Sequence, residues 1–162
     1  MNYSMDKYET MLDEISSEVP VIETDLENLT GYTGLYRNGR LYLDRNRKLS
    51  EKIVVLAEEY AHHKLTAGNI IDYRSPGAWK EEWKARRYAI EKIVSLDDLL
   101  NCALNDCHSK LECAEYLDVT PDFIEEALTH YHSKFGSSHY HRNYQFFFDE
   151  DSISIRSIRH SG

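Results

Sequence analysis

The chain has 162 residues, long enough for one hydrophobic core, and no segment rich in proline, glycine or serine divides it. Its 28 acidic and 19 basic residues give a net charge of −9, which argues against the phosphate contacts that dominate nucleic-acid binding. The sequence lacks an apolar run of about 18 residues and a basic-then-apolar N-terminus, so it predicts neither membrane insertion nor secretion. Cys102, Cys107 and Cys113 have no C-x-x-C spacing and predict reduced thiols in a cytoplasmic protein.

The first segments predict one helix followed by a small antiparallel sheet. Residues 4–17 have the apolar spacing of a helix, with Ser4 as the candidate N-cap. Residues 19–22 predict a short strand. Residues 35–43 predict a hairpin, because Asn38-Gly39 tolerates the positive φ angles of a type I′ turn.

Residues 56–63 then place two carboxylates and two imidazoles on little more than one helical turn. Glu58 and His62 are four residues apart, so on a helix their side chains lie on one face within reach of one metal ion. This spacing is that of the H-E-x-x-H metalloprotease helix, in which ligands at i and i+4 hold zinc and the intervening Glu is the general base. Here Glu58 stands where the first His is usual, and Glu59 stands at the base position. Solvated side chains on a surface stripe are the alternative interpretation.

His63 is a further candidate ligand, although on a regular helix it points about 100° away from His62. The helix that carries these residues is predicted to begin after Ser50. Residues 79–94 predict a second, amphipathic helix. A catalytic zinc site needs three protein ligands, and Glu82 on this second helix could supply the third, whereas Glu81 is expected to face solvent.

The two segments together resemble the ImmA/IrrE-type metallopeptidases of phages, integrative elements and bacteria. Those proteins pair an H-E-x-x-H helix with a later E-x-x-A-x-x-F-A helix. Glu82, Ala85, Tyr88 and Ala89 match the second motif, with Tyr at the aromatic position. A subgroup from phages of Gram-positive bacteria often carries the A-E-E-x-x-H-H form found at residues 57–63. The resemblance extends over about residues 5–158.

The resemblance implies an α+β, zincin-like single domain, in which a small antiparallel sheet packs on the metal helix. A C-terminal helical bundle and a terminal hairpin follow, so that residues 1–94, 95–135 and 136–162 are the successive parts. In zincin-like proteins an edge strand beside the active-site helix holds the extended substrate by backbone pairing. Leu41, Tyr42 and Leu43 are the candidates for that strand here, and ordinary sheet structure is the alternative.

The implied function is metal-dependent cleavage of a helix-turn-helix repressor, which would release a phage or mobile element from dormancy. Glu58, His62 and Glu82 would hold one divalent metal, and Glu59 would take a proton from the bound water. Two carboxylates and one imidazole form a harder ligand set than two imidazoles and one carboxylate, so manganese or iron competes with the expected zinc. A degenerate site that binds the repressor without cleaving it is the competing hypothesis.

The C-terminal half predicts a pair of helices and a hairpin. Residues 110–128 have the pattern of a helix-turn-helix, with Thr120 as N-cap and Pro121 at the first helical position. The second helix begins with acidic residues, which would repel phosphate, so a structural pair is expected instead of a DNA reader. Residues 144–149 and 153–156 predict a hairpin that turns near residues 150–151. Four histidines precede this hairpin and predict a solvated connector around residues 136–138. A site for a metal or a partner is the alternative. These histidines are His130, His132, His139 and His141.

Overall fold

A computed structural model describes residues 6–66, 78–149 and 152–158 of the chain, and this part forms seven helices and two three-stranded sheets. The mixed α+β class predicted from the sequence is confirmed. The chain divides into two compact units, Met1–Lys92 and Ile93–Gly162. Among the helices of the described ranges, none is both long and apolar enough to cross a membrane.

The first unit contains the predicted sheet and both motif helices. Its elements are α1 (Lys7–Ser16), β1 (Val21–Thr24), α2 (Leu26–Thr30), β2 (Gly34–Arg37), β3 (Arg40–Asp44), α3 (Leu49–Thr66) and α4 (Ala78–Ile93). Asp6 caps α1, since its side chain accepts a hydrogen bond of 2.7 Å from the backbone N–H of Glu9. Ser4, the candidate cap, lies outside the described residues.

The first sheet has the strand order β1-β3-β2. The turn between β2 and β3 is the predicted one, because Asn38 and Gly39 have φ angles of 53° and 72°. The sheet is mixed and not wholly antiparallel, because β1 pairs in parallel with β3, the returning strand of the hairpin. A hairpin forces its own two strands to be antiparallel, but it leaves open which of them the preceding strand joins.

This order places β3 at the centre of the sheet, so the expectation that Leu41, Tyr42 and Leu43 form an edge strand is wrong. Backbone partners on both sides occupy β3, and Leu41 and Leu43 are buried in the core. A substrate peptide therefore cannot pair with β3. The edge strand that packs on α3 is β2.

The motif helix α3 packs on α1, β2 and β3 and begins at Leu49, two residues before the predicted start. Burial of its apolar side chains on several faces holds it in the core. These side chains are Ile53, Leu56, Ala57, Tyr60 and Ala61. β2 comes unusually near this helix at Gly34, where an added Cβ would lie 2.2 Å from Val55 Cγ1. The close approach therefore requires glycine at this position.

The second unit consists of three helices followed by a second sheet. Its elements are α5 (Leu96–Leu104), α6 (Lys110–Leu117), α7 (Pro121–Phe135), β4 (Ser138–His141), β5 (Tyr144–Phe148) and β6 (Ile153–Ser157). The predicted helix pair is confirmed at its turn. Thr120 Oγ1 accepts a hydrogen bond of 3.2 Å from the N–H of Phe123, and Pro121 is the first residue of α7.

The favoured interpretation of the histidine-rich segment as a solvated connector is wrong, because residues 138–141 form strand β4. His139 stacks on Phe135 with 3.7 Å between ring centroids, and His141 Nε2 lies 2.7 Å from Asp97 Oδ1. His130 and His132 lie on α7. The terminal hairpin is present as β5 and β6, and its predicted turn at residues 150–151 lies outside the described residues.

All three cysteines line one cavity of about 420 Å³ in the second unit. They form no disulfide. Contact with Cys113, together with burial, raises the pKa of the Cys102 thiol, so that Cys102 stays protonated at neutral pH. The free thiols agree with the interpretation drawn from their spacing.

Candidate metal centre

The two motif helices bring His62 and Glu82 into contact. His62 Nε2 lies 3.4 Å from Glu82 Oε2, with the imidazole buried and the carboxylate about half exposed. Two ligands that bind one tetrahedral zinc ion at about 2.0–2.1 Å are themselves separated by roughly 3.3 Å. The pair therefore has the separation that two ligands of a single metal ion require.

Glu58 lies one helical turn before His62 on α3, and it is engaged by a cation from the same protein. Arg86, one turn after Glu82 on α4, donates a hydrogen bond from Nη1 to Glu58 Oε1. The earlier residue on α3, Glu58, contacts the later residue on α4, Arg86, whereas the later residue on α3, His62, contacts the earlier one on α4. This pattern is that of two antiparallel helices. The third candidate ligand is thus adjacent to the other two but is already paired with Arg86.

Glu59 lies beside these residues, on the side of α3 that faces β2. Its carboxylate accepts a hydrogen bond from the backbone N–H of Tyr36. A Cβ at Gly34 would lie 3.0 Å from Glu59 Cγ, so the strand covers this side chain closely. Burial raises the pKa of Glu59 to about 8, with further contributions from the negative charges of Glu58 and Glu82. In this arrangement Glu59 is therefore mostly protonated at neutral pH.

His63, the alternative ligand, contacts other residues. Its Nδ1 lies 2.9 Å from Tyr36 Oη, its Nε2 lies 3.6 Å from Glu18 Oε1, and its ring stacks on Tyr60. Glu18 also accepts hydrogen bonds from Tyr60 and from Lys64. The structure thus places His63 in a polar network with α1 and β2, apart from the contact between His62 and Glu82.

On the outer face of α4, Glu81 Oε1 pairs with Lys84 Nζ at 3.4 Å, and Trp83 is 54 % exposed. The side chain of Glu81 is 36 % exposed and that of Glu82 is 52 % exposed, so the expectation that Glu81 is the one that faces solvent is wrong. Trp83 is the neighbour of Glu82 in the sequence. An exposed indole therefore follows Glu82 directly in the chain, with its side chain turned about 100° away on the helix.

His62 and Glu82 supply two donors suited to a divalent cation, but within residues 6–66, 78–149 and 152–158 no three His, Cys, Asp or Glu side chains converge as a metal ion requires. His62 and Glu82 have the required separation, and three carboxylates lie close together against one arginine. Burial is the main cause of the raised pKa of Glu59, and the negative charges of Glu58 and Glu82 add to it. A third ligand from Glu58 requires that Glu58 leave Arg86.

Three residues of the centre were not found from the sequence. Arg86 was not among the candidates, although its spacing of four from Glu82 places both on one helix face. Gly34 directly precedes the predicted hairpin, and a glycine in a strand often marks a position that another element approaches closely. Tyr36 acts through its backbone N–H, for which a sequence gives no signal.

A family model described as the IrrE N-terminal-like domain of peptidase M78 matches residues 16–129 of the chain. The match covers more than half of the sequence and includes α3, α4 and all of the candidate site residues. No curated protein and no solved structure matches the chain. Peptidases of this family are generally zinc-dependent, and the small mixed α+β fold is consistent with a zincin-like domain. The chain therefore belongs to the family of IrrE N-terminal-like domains, the M78 peptidases, and has a metallopeptidase-like role.

Proposed function

We propose that this protein is a metal-dependent endopeptidase that cleaves a helix-turn-helix repressor and thereby relieves repression. The observation that carries the proposal is the contact between His62 Nε2 and Glu82 Oε2 at 3.4 Å. It joins the two family motifs at a distance suited to one zinc ion. The third ligand in this proposal is Glu58, which completes a set of one imidazole and two carboxylates.

Glu58, His62 and Glu82 would hold a divalent cation, which would supply Lewis acidity toward the scissile carbonyl and toward a water molecule. Glu59 would accept a proton from the attacking water on a carboxylate oxygen. Burial is the main cause of the raised pKa of Glu59, so positive charge at Glu58 and Glu82 would remove only the smaller contributions and lower this pKa in part. Glu59 thereby becomes a base that works near neutral pH.

The substrate peptide is proposed to pair with β2. This strand is an edge of the first sheet and packs on α3, so an extended peptide could add to it by backbone hydrogen bonds. The N–H of Tyr36 in this strand donates to Glu59, so this edge lies next to the base, and a peptide would pair with the other outward backbone groups of β2 or displace Glu59 from this one. β2 takes the role that the sequence had suggested for Leu41, Tyr42 and Leu43.

The test is cleavage of a candidate repressor by the zinc-loaded full chain and by a Glu59→Gln variant. Glutamine keeps the shape of Glu59 but cannot accept the proton, so cleavage should fall by at least about a hundredfold while zinc content is unchanged. Glu81→Gln is the matched control, since Glu81 lies on α4 outside the proposed ligand set, and it should cleave like the parent. Cleavage by Glu59→Gln at the parent rate would exclude Glu59 as the base.

A second function, repressor binding without cleavage, is supported by one specific observation. Glu58 stands where the family motif has His, and it is paired with Arg86. If the site is catalytically degenerate, the purified protein should bind the repressor in the presence of chelator and leave it intact when zinc is added. Zinc-dependent appearance of two repressor fragments would favour the peptidase.

A further inference from the structure

The ion pair between Glu58 and Arg86 has a bearing on how the centre accepts a metal. The two side chains are 24 % and 37 % exposed, so the pair is partly shielded from water. Arg86 shares the face of α4 that carries Glu82, one turn away. A cation at the proposed centre would therefore meet the guanidinium within the same small cluster of side chains.

Arginine is an unusual neighbour for a metal centre, because its guanidinium stays protonated at any pH that proteins tolerate. A histidine or lysine in that place could lose its proton and withdraw its charge when a metal arrives. Arg86 cannot, so it must release Glu58 as an intact cation and then remain near a second positive charge. Both the lost ion pair and the repulsion between cations oppose metal binding.

The same contact stabilises the centre before a metal arrives. Glu58, Glu59 and Glu82 place three carboxyl groups in one region, with Glu58 and Glu82 both near enough to Glu59 to act on it electrostatically. Arg86 offsets one of these charges through a direct hydrogen bond to Glu58. The chain can therefore fold with less electrostatic repulsion in this cluster than it would have if Glu58 had no cation beside it.

We propose that Arg86 is a built-in competitor of the metal, which holds Glu58 in the metal-free protein and lowers the affinity of the centre for divalent cations. This inference rests on the proposed function, since it takes Glu58, His62 and Glu82 as ligands. The repulsion from Arg86 lowers the affinity for every divalent ion by a similar factor. Only ions with the highest intrinsic affinity for nitrogen and oxygen ligands then still bind. Arg86 thereby sets the minimum intrinsic affinity that a metal ion needs in order to bind at the centre.

The experiment measures zinc dissociation constants for the full chain by competition with a chromophoric chelator. Arg86→Met keeps a long helix-forming side chain but removes the charge, and it should bind zinc at least about tenfold more tightly than the parent. Arg86→Gln is a second neutral variant with the same expectation. Arg87→Met removes an exposed positive charge from the next position and is expected to stay within about twofold of the parent.

Two further measurements separate a charge effect from a structural one. Arg86→Lys keeps the positive charge and should bind zinc much like the parent. The metal-free Arg86→Met protein should melt at a lower temperature than the metal-free parent, and zinc should raise its melting temperature by more. Damage to the fold alone would lower zinc affinity, which is opposite to the expected change.

Tighter zinc binding by both neutral variants, with Arg87→Met unchanged, would support the inference. Equal or weaker binding by Arg86→Met and Arg86→Gln, while the parent binds zinc and His62→Ala does not, would overturn it and leave the metal site intact. Failure of the parent and of both neutral variants to bind zinc would overturn the proposed metal site together with the role of Arg86. The two failures are thus distinguishable.

Discussion

Replacement of Gly34 by alanine tests the close approach of β2 to α3, on which the position of Glu59 depends. The new Cβ would lie 2.2 Å from Val55 Cγ1 and 3.0 Å from Glu59 Cγ. Carbon atoms in contact prefer about 3.5–4.0 Å, so Val55 or the strand must move by more than about 1 Å. Val55 is β-branched and has little rotamer freedom on a helix, so we expect the strand to move. Such overpacking typically destabilises by about 1–3 kcal/mol.

Urea unfolding monitored by circular dichroism measures this loss. A Val55→Ala variant removes the methyl group that the new Cβ meets, so the double variant should be more stable than the sum of the two single losses predicts. We expect a coupling free energy of about 1 kcal/mol or more between the two positions. Gly39→Ala is the matched control in the same hairpin. It has no atom within 4 Å of its added Cβ, and its loss arises from the φ angle of 72°.

If the stability losses caused by Gly34→Ala and Val55→Ala add to within about 0.5 kcal/mol in the double variant, the proposed contact is contradicted. Additivity would mean that the strand and helix do not meet at these two residues. The pair Gly39→Ala and Val55→Ala should add in this way, because Gly39 contacts no side chain of α3.

Two further predictions concern metal content and acid stability. His62→Ala and Glu82→Ala should each strongly reduce zinc from about one ion per chain in elemental analysis, whereas Glu81→Ala should retain it; unchanged content in both would exclude this ligand pair. The hydrogen bond from His141 holds the pKa of Asp97 below its ordinary value of 3.8, so the stabilisation is present above that value and is lost as the pH falls through the lowered pKa. The urea midpoint of Asp97→Asn should therefore depend less on pH in that acidic range than the midpoint of the parent, and parallel pH profiles would contradict the assignment.

Local signals predicted much of the fold. Asn38-Gly39 specified its turn because few other residue pairs accept two positive φ angles. Thr120 and Pro121 specified the start of α7 through capping chemistry that involves only neighbouring residues. Such features depend on a few consecutive residues, so the sequence contains them in full.

The strand order and the second turn depended on distant parts of the chain. Whether β3 lies at the edge or the centre depends on its pairing with β1, about twenty residues earlier, and no local pattern determines that choice. The turn at Arg142 and Asn143 also has two positive φ angles, of 48° and 62°, but it contains no glycine to announce them. Pairing of β4 with β5 imposes this turn on residues that do not strongly favour it.

For the candidate centre, motif spacing predicted that His62 and Glu82 would be neighbours, and the two side chains are in contact. Their role as metal ligands stays a prediction, as do the roles of Glu58 and Glu59. The contact between Glu58 and Arg86 could not be predicted with the same ease. A sequence motif identifies the residues that take part in the chemistry. Which charged residue pairs with one of them depends on how the two helices pack.

The exposed indole beside Glu82 has a practical consequence. The two tryptophans of the chain, Trp79 and Trp83, both belong to α4 and lie on either side of Glu82 in the sequence. Tryptophan emission dominates the fluorescence of most proteins, so the intrinsic emission of this chain comes from the one helix that carries the candidate ligand. Zinc or a peptide that reaches Glu82 should change its intensity or wavelength. The unmodified protein thus contains its own optical probe of the centre, and titrations can be followed without any label.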